Sequence, residues 1–232
     1  AASRTAIAVG DAAGVGPAVS IEAVATALAD DSAIVFGDAE RLARGFARHG
    51  VEAPPYDSRR PSRLALVDVG ALRTLPERDR TAGLAEVYKA GLVGDRDLLA
   101  LLNARGARDD DAWWVDVVAR SLAVKAKLVA ADERDVGARR ALNYGHTVGH
   151  ALETALGHDA MRHGEAVAIG MGVAAEVARG RGLIASRFLE AQDAALALLG
   201  LPIRVPGAVR PAALADLALE DKKRRAGAEL TM

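Results

Sequence analysis

The sequence contains no cysteine, so disulfide bridges, thiolate metal sites and cysteine nucleophiles are all excluded. This absence also agrees with an expected cytoplasmic location. Aromatic residues are scarce at 3%, whereas apolar residues make up 51% and are largely alanine, valine and leucine. A chain of 232 residues with this composition can bury a sizeable core, which we expect to be aliphatic and largely helical.

The sequence also lacks an excess of charge of one sign, and it has no long hydrophobic run. The formal net charge is -1, so no overall basic field indicates a nucleic-acid partner, and a phosphate-bearing ligand would need a local pocket. No apolar run reaches the roughly 18 residues of a membrane-spanning helix. The N-terminal stretch AASRTAIAVGD has no signal-peptide core. We therefore expect a soluble, intracellular protein with no membrane partner and no nucleic-acid partner.

Apolar runs and helical patterns alternate in the first 75 residues. The stretches TAIAV, SAIVFGD and LALVDV predict three strands, and AVSIEAVATALADD and AERLARGFARHG predict helices between them. After about Leu75 the segments carry helical apolar spacing, and none resembles a strand longer than four residues. The predicted fold is a short parallel α/β head, residues 1–75, followed by an all-α multi-helix domain, residues 76–232.

Four of the five histidines fall within one short segment: His146, His150, His158 and His163. On a helix His146 and His150 lie one above the other, and Glu153 follows one turn further along the same face. An antiparallel pair of helices would bring His163 close to His146, and a divalent ion there would need a third ligand. A single histidine on a helix usually has no ligand role, and the HxxxH spacing is less specific than HExxH. The cluster therefore indicates a metal or catalytic site, while a structural role stays open.

Four separated stretches of the sequence resemble the C-terminal domain of dehydroquinate synthase, in the order of that family. They are ALRTLPERDRTAGLAEVYKAGL, SLAVKAKLVAADERDVGARRALNYGHTVGHALE, HGEAVAIGM and LEDKKRRAGAELTM. The resemblance covers about residues 64–232. It implies a 3-dehydroquinate synthase-like, metal-dependent carbon–oxygen lyase of the shikimate pathway, which serves aromatic amino acid biosynthesis. Such an enzyme closes a carbocycle from a phosphorylated seven-carbon keto sugar acid.

The resemblance also implies roles for individual residues. It places the metal, Zn2+ or Co2+, on Glu86, His146 and His163. Residues that match substrate-holding positions of the family are Lys89, Lys125, Arg139, Asn143, His150 and Lys223. Cationic side chains suit a substrate that carries a phosphate and a carboxylate, and a metal ion lowers the cost of an alkoxide. Taken singly, Lys89, Lys125 and Arg139 would each be read as solvated surface charges. Asp135 stands where the family usually has glutamate.

The first sixty residues depart from that family. Its reaction exchanges hydride with bound NAD, yet its GGG-type loop and its GDxxGF, PTTLLA and GGK motifs are missing here. Residues 4–57 instead resemble the start of hydroxythreonine-phosphate dehydrogenase, with Ala12 and Ala18 in place of a proline and a glutamate. The loop GDAAGVGP has two interpretations. Gly14 and Gly16 form either a tight strand-to-helix turn or a weak anion or cofactor site at a helix N-terminus.

The sequence therefore reads as a composite of two enzyme types. We expect a metal domain that binds NAD weakly or not at all and turns over little alone. The alternatives are a hydroxythreonine-phosphate dehydrogenase-like oxidoreductase and a non-catalytic metal-binding chimera. A phosphorylated sugar acid is the expected small-molecule partner, and a homodimer is left open. The chain stops at ELTM, before the helix or two with which the family continues, so we expect a truncated C-terminus.

Overall fold

The structure is a computed structural model, and it describes residues 4–8, 32–36, 39–48, 64–67, 69–104, 110–132, 137–157 and 160–228. The chain separates into two compact units, Ala1–Leu75 with Gly94–Ala138 and Pro76–Val93 with Arg139–Met232. The first break coincides with the predicted boundary after residue 75. Residues 94–138, however, group with the strands rather than with the later helices. The division into domains 1–75 and 76–232 stays a prediction.

Strands β1, β2 and β3 cover Arg4–Ala8, Ser32–Phe36 and Leu64–Val67. In the described part, the α-helices in chain order are α1 Ala39–Arg48, α2 Glu77–Gly94, α3 Arg96–Asn103, α4 Asp111–Ala131, α5 His146–Leu156, α6 His163–Gly180, α7 Ser186–Leu198 and α8 Pro211–Ala228. Short 3-10 segments cover Val69–Thr74 and Ala138–Asn143. Among the described residues after position 75 helix predominates, which confirms the all-α prediction for those residues. None of the described helices is long and apolar enough to cross a membrane.

The first unit contains a three-stranded parallel sheet in the order β1-β2-β3, with Ala6 opposite Ile34 and Ile34 opposite Ala65. Helix α4 packs against β1 and against α3. Its Trp113 is fully buried and donates its indole N–H to the Leu101 carbonyl at 3.1 Å. A large aromatic ring therefore joins α3 to α4. The helix predicted for AVSIEAVATALADD lies outside the described residues.

The second unit is built around α6, which packs against α5 and α7, while α5 also packs against α8. Most of the first half of α6 is buried, because the residues that follow Glu165 are small or apolar on every face. A Cβ placed on Gly164 would lie 1.8 Å from the Ala82 carbonyl oxygen, and one on Gly170 would lie 2.0 Å from the Gly145 carbonyl oxygen. The absence of side chains at these two positions therefore lets the backbones of α2 and of the start of α5 lie directly against α6.

Candidate metal centre

Helices α2, α5 and α6 bring Glu86, His146 and His163 together within the second unit. Glu86 Oε1 lies 3.5 Å from Nε2 of His146 and 4.0 Å from Nε2 of His163. The three potential ligand atoms all lie within 4.8 Å of one another. Zinc–ligand distances near 2.1 Å and tetrahedral angles would separate neighbouring ligand atoms by about 3.4 Å. The cluster is therefore close to the spacing that one divalent ion requires.

The two carboxylate oxygens of Glu86 have different surroundings. Oε2 accepts a hydrogen bond from the Lys89 ammonium at 2.7 Å. Oε1 is buried and accepts no hydrogen bond from any residue that the structure describes. A buried carboxylate oxygen without a partner costs free energy, and the lone pairs of two imidazoles face it. A cation at this point would satisfy all three atoms, so the residues present fit a metal ion.

The backbone fixes the side of the His146 ring that faces the cluster. Its Nδ1 lies 3.3 Å from the Tyr144 carbonyl oxygen, which can only accept a hydrogen bond. Nδ1 therefore carries the proton and Nε2 keeps its lone pair toward Glu86. Burial, followed by the nearby Lys89 ammonium, holds the pKa of His146 below its usual value although the Glu86 carboxylate opposes the shift. The neutral ring that a metal needs is thus favoured near pH 7.

Glycine lies next to each of these histidines in the sequence. Gly145 precedes His146 with a φ of +81°, a backbone conformation that only glycine adopts readily, and it caps the start of α5. Gly164 follows His163 at the close approach to Ala82. Both histidines are therefore positioned by segments of backbone that tolerate no side chain.

Two ion pairs join the start of α2 to the start of α6. The Arg78 guanidinium donates two hydrogen bonds to Glu165, to Oε1 at 2.6 Å and to Oε2 at 2.7 Å. The Arg162 guanidinium lies 2.6 Å from Asp79. The Arg162 amide also donates to Glu165 Oε2 at 3.0 Å, as in a capping box. These contacts hold the two helices that carry Glu86 and His163 in one register.

The predicted substrate-holding residues differ in where they lie relative to the cluster and in how buried they are. Lys89 is 2% exposed and bonds Glu86 directly, and the His150 ring lies against His146 and His163 with centroids 5.4 and 5.9 Å apart. Arg139 and Asn143 lie on the 3-10 segment that leads into the cluster, both half-buried. Lys125 is exposed on α4, in the first unit.

The remaining predicted positions are not described to the same extent. Lys223 lies on α8, at a position whose side chain is outside the described part of the structure. Gly14 and Gly16, together with Asp135 and His158, lie outside the described residues altogether. The roles assigned to these residues stay predictions.

Sequence reasoning missed the charged residues at the two helix starts and the partner of His163. Glu153 Oε1 lies 3.0 Å from Nδ1 of His163, and His150, Glu153 and His163 form a second group of potential ligands. A glutamate at the third position of α6, in the run RHGE, is a sequence signal for a capping box. The rotation of α5 and α6 about their axes determines which histidine Glu153 contacts. No sequence pattern predicts that rotation.

The fold and the cluster together define a class, a helical domain with a candidate metal centre between its helices. The chain belongs to the family described as 3-dehydroquinate synthase C-terminal, whose family model matches residues 83–224. This membership confirms the resemblance on which the lyase prediction rests.

Curated relatives point to the same family. The chain is 42% identical over 170 residues to 3-dehydroquinate synthase of a Synechococcus strain, a match that covers 71% of this chain and 46% of the relative. It is 46% identical over 145 residues to 3-dehydroquinate synthase of a Geobacter strain, covering 61% of this chain and 40% of the relative. The chain thus spans about half the length of the curated relatives it matches.

Solved structures share the fold at lower identity. One is 2-epi-5-epi-valiolone synthase from Streptomyces hygroscopicus subsp. jinggangensis 5008 with NAD+ and Zn2+ bound, at TM-score 0.62 and 23% identity, covering 90% of this chain and 68% of that chain. Another is 2-deoxy-scyllo-inosose synthase complexed with carbaglucose-6-phosphate, NAD+ and Co2+, at TM-score 0.58 and 20% identity, covering 90% and 67%. At these identities the likeness shows the fold alone.

Proposed function

We propose that this chain carries the metal- and substrate-binding part of a 3-dehydroquinate synthase-like carbon–oxygen lyase, with Glu86, His146 and His163 as the metal ligands. The observation that carries the proposal is the buried Oε1 of Glu86, which has no hydrogen-bond donor among the described residues and faces Nε2 of both histidines. Family membership over residues 83–224 supports the reaction class. A Zn2+ or Co2+ ion held there would supply Lewis-acid polarisation of a substrate hydroxyl.

The chain's own residues would bind and orient the substrate. Lys89 brings a buried ammonium to the edge of the cluster, where it already neutralises Glu86. Arg139 and Asn143 precede the cluster and suit an anionic group, since a guanidinium can bind a phosphate or carboxylate through two parallel hydrogen bonds. His150, beside both metal-facing rings, would contact the substrate rather than the ion. Lys125 and Lys223 are assigned to the substrate by resemblance alone.

The expected substrate is a phosphorylated seven-carbon keto sugar acid, because elimination of phosphate is what a carbon–oxygen lyase of this family performs. Proteins that share the fold have been solved with NAD+ and with a sugar phosphate analogue. We propose that this chain alone binds NAD weakly or not at all, because the family's nucleotide motifs are missing from its first sixty residues. A cytoplasmic location and a homodimer stay predictions.

Two other functions remain as predictions, and each predicts a different experimental result. A hydroxythreonine-phosphate dehydrogenase-like activity rests on residues 4–57, of which the structure describes only 4–8, 32–36 and 39–48. A non-catalytic metal-binding chimera would bind the ion but release no phosphate. Phosphate release from the sugar acid in the presence of NAD and Zn2+ would exclude both of these functions and establish the lyase. Turnover of about 1 per second or faster would contradict the predicted weak cofactor binding.

The metal assignment is tested by metal content. Purified protein loaded with Zn2+ and desalted should retain about one ion per chain, as measured by mass spectrometry of the metal. The double variant Glu86→Ala, His146→Ala and the single variant His163→Ala should each lose most of that ion, because one or two of three ligands are gone. Glu190→Ala, an exposed carboxylate on α7, should retain it. Full metal content in the double variant would refute the centre.

A further inference from the structure

His163 lies between two carboxylates, one on each side of its ring. Its Nε2 faces Glu86 Oε1 at 4.0 Å, and its Nδ1 lies 3.0 Å from Glu153 Oε1. Each side of the ring belongs to a separate group of potential ligands, Glu86 with His146 on one side and His150 with Glu153 on the other. The two nitrogens of an imidazole point away from each other, so the ring cannot offer both to the same ion.

The distances decide which side is the ligand side. At 3.0 Å, Nδ1 and Glu153 Oε1 are within hydrogen-bond distance, and an ionised carboxylate only accepts, so Nδ1 carries the proton. A protonated nitrogen has no lone pair for a metal. Nε2 is then the unprotonated atom, and it faces the oxygen of Glu86 that lacks a hydrogen-bond donor among the described residues.

Helix geometry explains why Glu153 reaches His163. Residues 146, 150 and 153 follow each other at steps of four and three, so they form one stripe along α5. His146 on this stripe supplies the candidate ligand, and Glu153, two turns later, faces the start of α6. The Glu153 side chain is 12% exposed, whereas that of His163 is 47% exposed. The Glu153 carboxylate is therefore the more buried partner of this contact, and the His163 ring is the more exposed one.

We propose that Glu153 is a positioning residue, which fixes the tautomer and the direction of His163 and so sets the metal affinity of the centre. The inference rests on the proposed function, which supplies the metal ion at Glu86, His146 and His163. The second group of potential ligands, His150, Glu153 and His163, is not assigned an ion. Metal-bound histidines regularly donate their second N–H to a carboxylate, and loss of such a partner costs about 10–100-fold in metal affinity. The Tyr144 carbonyl has the corresponding position for His146.

The first test reads the tautomer without any metal. Nitrogen-15 chemical shifts of the histidine rings in metal-free protein should show His163 protonated at Nδ1. In Glu153→Gln, whose amide can donate as well as accept, that preference should weaken, and in Glu153→Ala it should be lost. An Nδ1-protonated His163 that is unchanged in both variants would overturn the positioning role, whatever the protein does with metals.

The second test reads the ion. Zn2+ affinity measured by competition with a chelator should fall about 10-fold in Glu153→Gln and up to about 100-fold in Glu153→Ala, at an unchanged stoichiometry of one. Thr154→Ala is the matched control, because that exposed hydroxyl donates to the carbonyl of His150 in its own helix. The visible spectrum of the Co2+ form should keep its shape in Glu153→Gln, since no ligand is exchanged.

The outcomes separate the two hypotheses. Two ions per chain, or a Co2+ spectrum altered by Glu153→Gln, would make Glu153 a ligand and overturn the inference. Wild-type protein that binds no ion would overturn the proposed function, while the nitrogen shifts would still decide the tautomer. Equal Zn2+ affinity in wild type and Glu153→Ala would refute the positioning role alone. The Gln variant keeps the side-chain volume, so it stays informative if the Ala variant does not fold.

Discussion

Substitution of Gly170 by alanine is the sharpest test of how the second unit is packed. The added Cβ would lie 2.0 Å from the Gly145 carbonyl oxygen and 3.0 Å from the Gly149 amide nitrogen. Carbon and oxygen approach each other to about 3.3 Å, so the backbones must separate by about 1.3 Å. The atoms in the way are backbone atoms, and no rotamer change can relieve the contact.

The magnitude follows from two opposing effects. Alanine in a helix interior is about 1 kcal/mol more favourable than glycine. Overpacking in a dense core costs about 1–3 kcal/mol, and we take the upper end because backbone is displaced. The free energy of unfolding should therefore fall by about 2 kcal/mol, which lowers the melting temperature by roughly 4–8 °C in a protein of this size.

A matched control is provided by Gly83 in helix α2. Its added Cβ would meet nothing within 4 Å, so Gly83→Ala should stabilise the protein by up to about 1 kcal/mol. Thermal unfolding of both variants in the presence of a chelator gives the comparison. A Gly170→Ala protein that melts at or above the wild-type temperature would refute the close approach. We also expect weaker metal binding in this variant, since the displaced segment carries His146.

Two further predictions concern pH. Burial opposes ionisation of Asp95, but the Arg120 hydrogen bonds and the amides of Asp97 and Leu98 outweigh it, so its pKa is lowered. The stability that the ionised Asp95 contributes is present above the unfolded pKa near 4 and is lost as pH falls through the folded pKa. Asp95→Ala should therefore lower the free energy of unfolding by about 1 kcal/mol at pH 7, and the part of the acid-induced loss of stability that Asp95 causes should disappear. Burial raises the pKa of Tyr88 to about 12. Because the unfolded side chain ionises near pH 10 and the folded one does not, stability should decline between about pH 10 and 12. Tyr88→Phe should reduce that decline in alkaline unfolding curves.

The helical part of the fold could be predicted because its signals are local. Helix α6 has apolar residues or glycine at nearly every position of its first half, and the pattern after residue 75 offers no alternative to helix. The grouping of residues 94–138 with the strands could not be predicted in this way. It depends on long-range packing such as that of Val69 against Val115 and Ala119, and periodicity within a helix does not say which partner its apolar face will meet.

The site was predictable to the extent that its residues are close in sequence. A pair of adjacent helices was enough to expect His146 near His163. Glu86 lies on a helix far upstream and was assigned only through the family resemblance, because nothing in its own neighbourhood marks it as a ligand. Likewise, the glycines are visible in the sequence, but the backbone that each one faces is not. The backbone segment that each glycine contacts is determined only when α2 and α5 pack on α6.

The second unit is discontinuous in the chain, and this has a consequence for how the site can form. Glu86 and its two histidines are separated by residues 94–138, which fold with the strands of the other unit. No single cleavage can release the second unit whole, and residues 139–232 expressed alone would contain both histidines without their glutamate. Contacts between residues distant in sequence form slowly, because the chain between them must first be ordered. The metal-binding site should therefore be one of the last parts of the structure to form during refolding. The rate of Zn2+ uptake after dilution from urea would then report when folding is complete.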